Sequence, residues 1–145
     1  ALLFFAKYRK TGFSMGMALI LGLLVCNIFL KPQVARIRPY NFQLQEYGRE
    51  ITLLVKGLND YSFPSGHTIA SFEACTVLML HDKRLGIPAT VLAILIAFSR
   101  LYLYVHYPTD VLVSLVLGIL FGILGNLIVN AVYKKFVYKG KYIEE

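Results

Sequence analysis

Four long apolar runs constrain the fold of this 145-residue chain more than any other feature of its sequence. They lie at residues 13–30, 63–80, 85–99 and 111–133; the first two are 18 residues long, and the last has 23 residues without a charge. A helix that crosses a lipid bilayer needs about 20 predominantly apolar residues. Runs of this length predict four transmembrane helices, because strands are shorter and surface helices carry a polar face.

The ends of these runs refine the predicted membrane crossings. The third run stays apolar as far as Val105 if Arg100 is tolerated. Residues 1–6 are also apolar, and the basic group that follows them, instead of preceding them, excludes a secretory signal peptide. We expect residues 1–6 to be the end of a further helix. The prediction is therefore an all-α, multi-pass transmembrane bundle with four full spanning helices and an N-terminal stub.

The polar stretch at residues 31–62 is too long for a simple turn between two helices. Apolar residues recur within it at helical spacing, at Leu44, Tyr47, Ile51, Leu54, Val55 and Leu58. This spacing predicts an amphipathic interfacial helix on the membrane surface. A helix packed over the mouth of the bundle has the same pattern, so both placements stay open.

The chain is basic, with a net charge of +7, and 57% of its residues are hydrophobic. That composition excludes disorder, and basic residues in short groups between apolar runs are unlike a nucleic-acid-binding surface. If successive helices cross the bilayer in alternating directions, nine of the basic residues lie on one side of the membrane, at Lys7, Arg9, Lys10, Lys83, Arg84, Lys134, Lys135, Lys139 and Lys141. Six lie on the other side, at Lys31, Arg36, Arg38, Arg49, Lys56 and Arg100. The side with nine is predicted to face the cytoplasm.

Two histidines and one carboxylate at helix ends lie on the same side as the six basic residues. With the three basic residues nearest to helix ends, they make a set of six: Lys31, Arg38, His67, Arg100, His106 and Asp110. A charged group at the centre of a membrane helix costs about 2.5–3.5 kcal/mol on insertion scales, so such groups tend to be paired and functional. Three cations, two histidines and one carboxylate on one face predict a pocket for a strongly anionic group, and phosphate fits best.

Two helix starts supply further chemistry. The segment Pro64-Ser65-Gly66-His67 opens a helix, whose free N–H groups and dipole attract an anion, and Gly66 permits close approach of the backbone. Taken alone, Ser65 and Gly66 also fit an ordinary cap and turn.

At the second start, Pro108 suits the first position of the last helix, which puts Asp110 near the third position. From there the carboxylate can reach back over the cap. It is predicted to accept a hydrogen bond from one ring nitrogen of His106, leaving the other nitrogen as a nucleophile.

These residues form three motifs that resemble those of the type 2 phosphatidic acid phosphatase (PAP2) superfamily. Lys31, six residues and Arg38-Pro39 resemble the first motif, and Pro64-Ser65-Gly66-His67 resembles the second. Ser99-Arg100, five residues, His106, three residues and Asp110 resemble the third. The three occur in order between Lys31 and Asp110.

The resemblance implies a membrane phosphatase that works through a phosphohistidine and needs no metal or other cofactor. It assigns attack on phosphorus to His106, support of that histidine to Asp110, and protonation of the leaving oxygen to His67. It assigns binding of the phosphoryl oxygens to Lys31, Arg38, Arg100, Ser65 and Gly66. Such charge compensation is what phosphoryl transfer requires. Membrane-bound members typically have about six spanning helices, so residues 1–145 are expected to be one domain that lacks its N-terminal helices.

The resemblance also narrows the substrate to a phosphorylated membrane lipid. Bacterial members act on polyprenyl diphosphates, phosphatidylglycerophosphate and phosphatidic acid, and an outward-facing site favours undecaprenyl diphosphate. Phosphotransfer to another acceptor by the same intermediate is an alternative. An anion transporter is another, although a transport pathway carries polar residues near mid-membrane. The sequence leaves oligomeric state and the role of Glu73 open.

Overall fold

The computed structural model describes residues 5–141 of the chain, and the side chains of residues 5–136. Its helices are α1 (Arg9–Gly22), α2 (Lys31–Val34), α3 (Pro39–Tyr47), α4 (Gly66–His81), α5 (Lys83–Tyr102) and α6 (Pro108–Lys141). A 3-10 turn at Ala6–Tyr8 precedes α1, and a π-helical segment at Leu23–Leu30 joins α1 to α2 without a break. The predicted N-terminal stub falls outside the described residues, apart from Phe5 and Ala6.

The described helices form a bundle with α4 at its centre. Helix α4 packs against α1, α5 and α6, and α6 also packs along α1. Phe72 and Cys75 of α4 meet Ala93 and Ala97 of α5 and Val111 of α6 in the buried core. The outer faces carry large exposed apolar side chains, such as Leu92, Ile94, Phe98, Leu112, Leu120 and Leu127. This arrangement confirms the predicted all-α bundle.

Three segments of the described chain are long and apolar enough to cross a membrane. They are Ala6–Tyr47, Lys83–Tyr102 and Pro108–Phe136. Helix α4, predicted as a fourth full span, has 16 residues, which is about 24 Å against a hydrocarbon core of about 30 Å. It is shorter than its apolar run because the backbone is still extended at Ser65, so the helix begins three residues into the run, at Gly66.

The interfacial helix predicted by the apolar spacing from Leu44 to Leu58 is wrong in its position. Helix α3 occupies Pro39–Tyr47 and stops at Gly48, which has a left-handed backbone with φ of +62°. Glycine adopts this conformation readily, and the N–H groups of Gly48 and Arg49 close the helix on the carbonyls of Leu44 and Gln43. Residues 49–65 follow a path without helix or strand, here named the capping loop.

Helix α6 approaches α4 closely at two glycines. A Cβ atom on Gly118 would lie 2.7 Å from Phe72 Cβ and 2.8 Å from the Ile69 carbonyl oxygen. A Cβ atom on Gly122 would lie 2.8 Å from Thr76 Cβ. These contacts pack the first half of α6 along α4, next to the helix starts where the predicted site residues lie.

Replacing Gly118 with alanine is expected to destabilise the bundle by about 1–3 kcal/mol, because the added methyl group overpacks the contact with α4. Gly16→Ala is the matched control, since nothing lies within 4 Å of a Cβ atom there. Thermal unfolding in detergent, followed by circular dichroism, measures both variants. Equal unfolding midpoints for the two variants would contradict the close approach of α6 to α4.

Candidate active site

A cavity of about 670 Å³ lies where the end of the π-helical segment, the starts of α3 and α4, and the loop before α6 meet. The residues that line it are Asn27, Lys31, Arg38, Leu58, Asn59, Asp60, Gly66, His67, Ala70 and His106. Five residues that the sequence assigned to the site are among them: Lys31, Arg38, Gly66, His67 and His106. The alternating path of the helices therefore does bring distant motif residues to one face.

Arg38 is the buried cation of this cavity, with 2% of its side chain exposed. It precedes Pro39, the first residue of α3, so its backbone is fixed at a helix start. Its Nε donates to the Asp60 carbonyl at 2.8 Å, and its Nη1 donates to the Val105 carbonyl at 2.8 Å. Nη1 also lies 3.5 Å from His106 Nε2.

The imidazole of His106 is buried and held in one orientation. Its Nδ1 lies 2.7 Å from the Ser62 carbonyl oxygen. A carbonyl oxygen only accepts hydrogen bonds, so Nδ1 carries the proton. Nε2 lies 3.5 Å from the Arg38 Nη1 donor and is therefore the unprotonated nitrogen, with its lone pair toward that N–H group.

The Asp110 carboxylate lies against one ring nitrogen of His106, as the sequence predicted, but the shorter hydrogen bond of that nitrogen goes to Ser62. Oδ2 is 3.6 Å from His106 Nδ1, whereas the Ser62 carbonyl accepts from Nδ1 at 2.7 Å. The predicted reach over the cap is confirmed, since Oδ2 accepts from the Tyr107 N–H at 2.9 Å. Oδ2 also accepts from the Ser62 hydroxyl. Asp110 thus acts on His106 both directly and through Ser62, whose carbonyl orients the ring.

Arg36 is a site residue for which the sequence gives no motif signal. Its Nη1 donates to Asp110 Oδ1 at 2.7 Å and to Thr109 Oγ1 at 2.6 Å. Its guanidinium carbon lies 3.9 Å from the centre of the Tyr107 ring, which is a cation–π contact. Asp110 is fully buried, so this pairing supplies the charge that a buried carboxylate needs. Burial of the Tyr107 hydroxyl raises the pKa of that residue.

Lys31 meets the carboxylate of Asp60, a capping-loop residue that the sequence did not single out. Lys31 Nζ donates to Asp60 Oδ2, and Arg38 Nη2 lies 2.5 Å from Asp60 Oδ1. Burial raises the pKa of Asp60, but the hydrogen bonds and charges of Lys31 and Arg38 outweigh that effect. The pKa of Asp60 therefore lies below its ordinary value.

Gly66 and His67 begin α4, as the sequence predicted, and Ser65 precedes them as the cap. Gly66 lies close to Asn27, whose Oδ1 is 3.3 Å from the position of a Cβ atom on that glycine. Ser65 does not line the cavity, because it is fully buried and bonded within the bundle. Its N–H donates to Ser114 Oγ at 2.7 Å.

Arg100 is the predicted cation that the structure does not bring into the cavity wall. Its Nε and Nη2 donate to the hydroxyl of its neighbour Ser99 at 3.1 and 3.0 Å. The side chain is half-buried in the last turn of α5. A role in binding an anion stays a prediction for this residue.

A second cavity of about 260 Å³ adjoins the first and is mostly apolar. Asn27, Gly66 and Ala70 line both cavities, and the second is completed by Leu19, Gly22, Leu23, Ile69 and Glu73. The Glu73 side chain is 1% exposed, and its Oε1 has no hydrogen-bond partner among the described residues. The polar cavity is therefore continued by a smaller space whose wall is mainly apolar, apart from Asn27 and the Glu73 carboxyl group.

The cavity residues are suited to binding an anion rather than a metal cation. Within the described part of the chain, no group of three or more His, Cys, Asp or Glu side chains is placed to hold a metal ion. The cations Lys31 and Arg38 and the start of α4 instead supply positive charge and N–H donors.

Comparisons with known proteins agree with the three motifs. The family model of the PAP2 superfamily matches residues 11–134. The chain is 35% identical over 118 residues to an undecaprenyl-diphosphatase from Sulfolobus acidocaldarius, covering 81% of this chain and 54% of that protein. It is 36% identical over 125 residues to phosphatidylglycerophosphatase B from Bacillus subtilis, covering 78% of this chain and 56% of that protein. It thus spans about half the length of these relatives.

The fold agrees with a solved structure as well. The crystal structure of LpxE from Aquifex aeolicus superposes with a TM-score of 0.64 at 30% sequence identity. The match covers 86% of this chain and 70% of that chain. The apolar helices of this chain, together with these relatives, identify it as a multi-pass membrane protein.

Spectra of the three histidines are expected to show one tautomer at His106, with a proton on Nδ1 and none on Nε2, because the Ser62 carbonyl accepts from Nδ1. Long-range ¹H–¹⁵N NMR of protein labelled with ¹⁵N-histidine measures this, and His67→Gln and His81→Gln variants assign the signals. A His106 ring that is protonated on Nε2 alone would contradict the orientation described above.

Proposed function

This chain belongs to the PAP2 superfamily, and on that premise we propose that it hydrolyses the phosphate or diphosphate group of a membrane lipid. The observation that carries the proposal is the position of His106 Nε2. This nitrogen is unprotonated, lies beside the Arg38 guanidinium, and belongs to a histidine that lines the cavity together with Lys31 and His67. A nucleophile, two cations and a second histidine therefore converge on one space.

His106 is proposed to attack phosphorus through Nε2. The bond from phosphorus to the leaving oxygen breaks as the bond to nitrogen forms, and His67 gives its proton to the departing oxygen. The Nδ1 proton stays on Nδ1 throughout, donated to the Ser62 carbonyl oxygen. Asp110, 3.6 Å from Nδ1, stabilises the positive charge that develops on the ring.

Lys31 and Arg38 are proposed to bind the phosphoryl oxygens, together with the N–H groups at the start of α4. In phosphoryl transfer the protein mainly positions groups and compensates charge. Arg38 suits this role because backbone carbonyls already hold its guanidinium in place. Ser65 and Arg100 do not line the cavity and are retained from the motif resemblance, and the charge of Arg100 acts on His67.

Water is proposed to release the phosphate in a second step. His67 lost its proton to the leaving group, so it can now take a proton from water as a base. The oxygen of that water bonds to phosphorus, and the bond to His106 Nε2 breaks. His106 and His67 return to their starting protonation states, and no metal or other cofactor takes part.

The substrate is proposed to be a lipid whose phosphorylated end enters the larger cavity. The adjoining apolar cavity and the exposed apolar faces of the bundle favour a substrate that keeps its tail in hydrocarbon. Undecaprenyl diphosphate is the first candidate, because a relative with that activity in its name aligns with 81% of this chain. Phosphatidylglycerophosphate and phosphatidic acid follow.

The cavity is proposed to open on the outer side of the cytoplasmic membrane. Lys31, Arg36 and Arg38, three of the six basic residues at that end of the bundle, are held in ion pairs. These three therefore do not count as unpaired loop charges at this end. The excess of Lys and Arg that marks the cytoplasmic side then lies at the opposite end of the bundle.

His106→Ala is expected to lower the rate of phosphate release by about 10³-fold or more, because it removes the nucleophile. His81→Ala is the matched control, since His81 lies at the other end of α4, 2.8 Å from Asn126 Oδ1. Release by the unaltered protein should persist in EDTA and be inhibited by vanadate. An acid-labile, alkali-stable phosphoprotein should form from labelled substrate only while His106 is present. Full activity of the His106→Ala variant would refute the proposal.

A substrate panel is expected to show the highest kcat/KM for undecaprenyl diphosphate, with phosphatidylglycerophosphate and phosphatidate behind it. A soluble sugar phosphate should be at least about 10-fold poorer, because it lacks the tail whose binding energy assists the reaction. Phosphate release from each substrate in detergent micelles measures this order. Equal rates on the sugar phosphate and the lipids would contradict a lipid substrate.

A further inference from the structure

The carboxylate of Asp60 lies between the two cations that should hold the phosphoryl group of a substrate. Its Oδ2 accepts a hydrogen bond from Lys31 Nζ, and its Oδ1 lies 2.5 Å from Arg38 Nη2. All three residues line the larger cavity together with His106. An anionic side chain of the protein thus already occupies the positions that phosphoryl oxygens would take.

Arg38 does not depend on this carboxylate for its position. Its guanidinium donates to the backbone carbonyls of Asp60, Val105 and Tyr61 at 2.8, 2.8 and 3.3 Å. The Arg38 side chain is 2% exposed, whereas the Asp60 side chain is 52% exposed. The carboxylate can therefore swing into solvent while the guanidinium stays fixed.

The backbone of Asp60 remains a tether when its side chain moves. The Asp60 carbonyl accepts from Arg38 Nε, and two residues later the Ser62 N–H donates to the Arg36 carbonyl at 2.8 Å. These bonds keep the carboxylate within reach of the cations. A tethered group of this kind competes at an effective concentration on the order of millimolar.

We propose that Asp60 is a tethered competitor for the phosphoryl subsite, which reserves that subsite for groups with more negative charge than a phosphodiester. This inference rests on the proposed function and sharpens its substrate class. Phosphate monoesters and diphosphates displace the carboxylate, and the phosphodiester headgroups that fill a bilayer do not. Asp60 is thus a specificity-determining residue for the phosphatase reaction.

The difference in charge supports this selection. The lowered pKa of Asp60 keeps it ionised at neutral pH, with one negative charge. A phosphodiester also has one negative charge, so it gains no extra attraction to Lys31 and Arg38 and must still overcome the tether. A phosphate monoester has a charge of about −1.5 to −2 at pH 7, and its attraction to each cation is correspondingly larger.

The test measures binding of inorganic phosphate and of dimethyl phosphate, a soluble phosphodiester, by ³¹P NMR titration of the full chain in detergent. Asp60→Asn is expected to bind inorganic phosphate about 5-fold or more tightly, because the subsite is no longer occupied by its competitor. The same variant should bind dimethyl phosphate at concentrations where the unaltered protein does not. Glu50→Gln, which removes one charge from the same capping loop, should leave both affinities unchanged.

Two results would overturn this inference. Unchanged or weaker phosphate binding by Asp60→Asn would mean that the carboxylate only positions the cations. An equal increase in phosphate affinity in Glu50→Gln would mean that the increase in Asp60→Asn is a general effect of removing one negative charge. If Asp60→Asn does not fold, Asp60→Ser takes its place, with thermal unfolding as the check.

The same titration separates this inference from the proposed function. Phosphate binding by the unaltered protein that is insensitive to Lys31→Gln would contradict the proposed site itself. Phosphate binding that is lost in Lys31→Gln, together with no gain in Asp60→Asn, would leave the site in place and refute the role of Asp60 alone.

Discussion

The buried guanidinium of Arg38 is the interaction on which the arrangement of the site depends. A charge removed from water is tolerated only when its donors are paired, and Arg38 pairs them with backbone carbonyls from two separate segments. One segment is the capping loop at Asp60, and the other is Val105, which precedes His106. The cost of leaving these donors unpaired therefore fixes the path of a loop that has no helix or strand of its own. Along that path lies Ser62, whose carbonyl orients His106.

The starts of α4 and α6 are joined by a second set of bonds, inside the bundle. Ser114 donates to the Asp110 carbonyl at 2.6 Å, and its hydroxyl oxygen accepts from the Ser65 N–H at 2.7 Å. One hydroxyl thus links the helix that carries Asp110 to the cap of the helix that carries His67. Together with the close approach at Gly118, it makes the distance between the two histidine-bearing segments a property of the packed core rather than of the loops.

The parts of the site that sequence could predict are those governed by local chemistry. The start of α6 could be predicted because Pro108 and Asp110 favour a helix start by their own chemistry, whatever the rest of the fold is. The start of α4 at Gly66 could be predicted in the same way. The motif resemblance supplied which of these helix ends belong together. Arg36 and Ser62 lie outside that reach, because their partners are 74 and 48 residues away in the chain. The apolar spacing that predicted a helix up to Leu58 failed because Gly48 ends the helix.

The capping loop has its described anchors near its end, and this has a consequence for how such proteins diversify. The Tyr40 hydroxyl bonds to the N–H and carbonyl of Leu58, and Arg36 and Arg38 hold the residues from Asp60 to Ser62. Between Gly48 and Leu58, changes in loop length add little closure entropy and leave these anchors in place. That stretch is therefore a natural graft site, where evolution or a protein engineer can exchange loop residues without disturbing the bonds that hold Asp60 and Ser62.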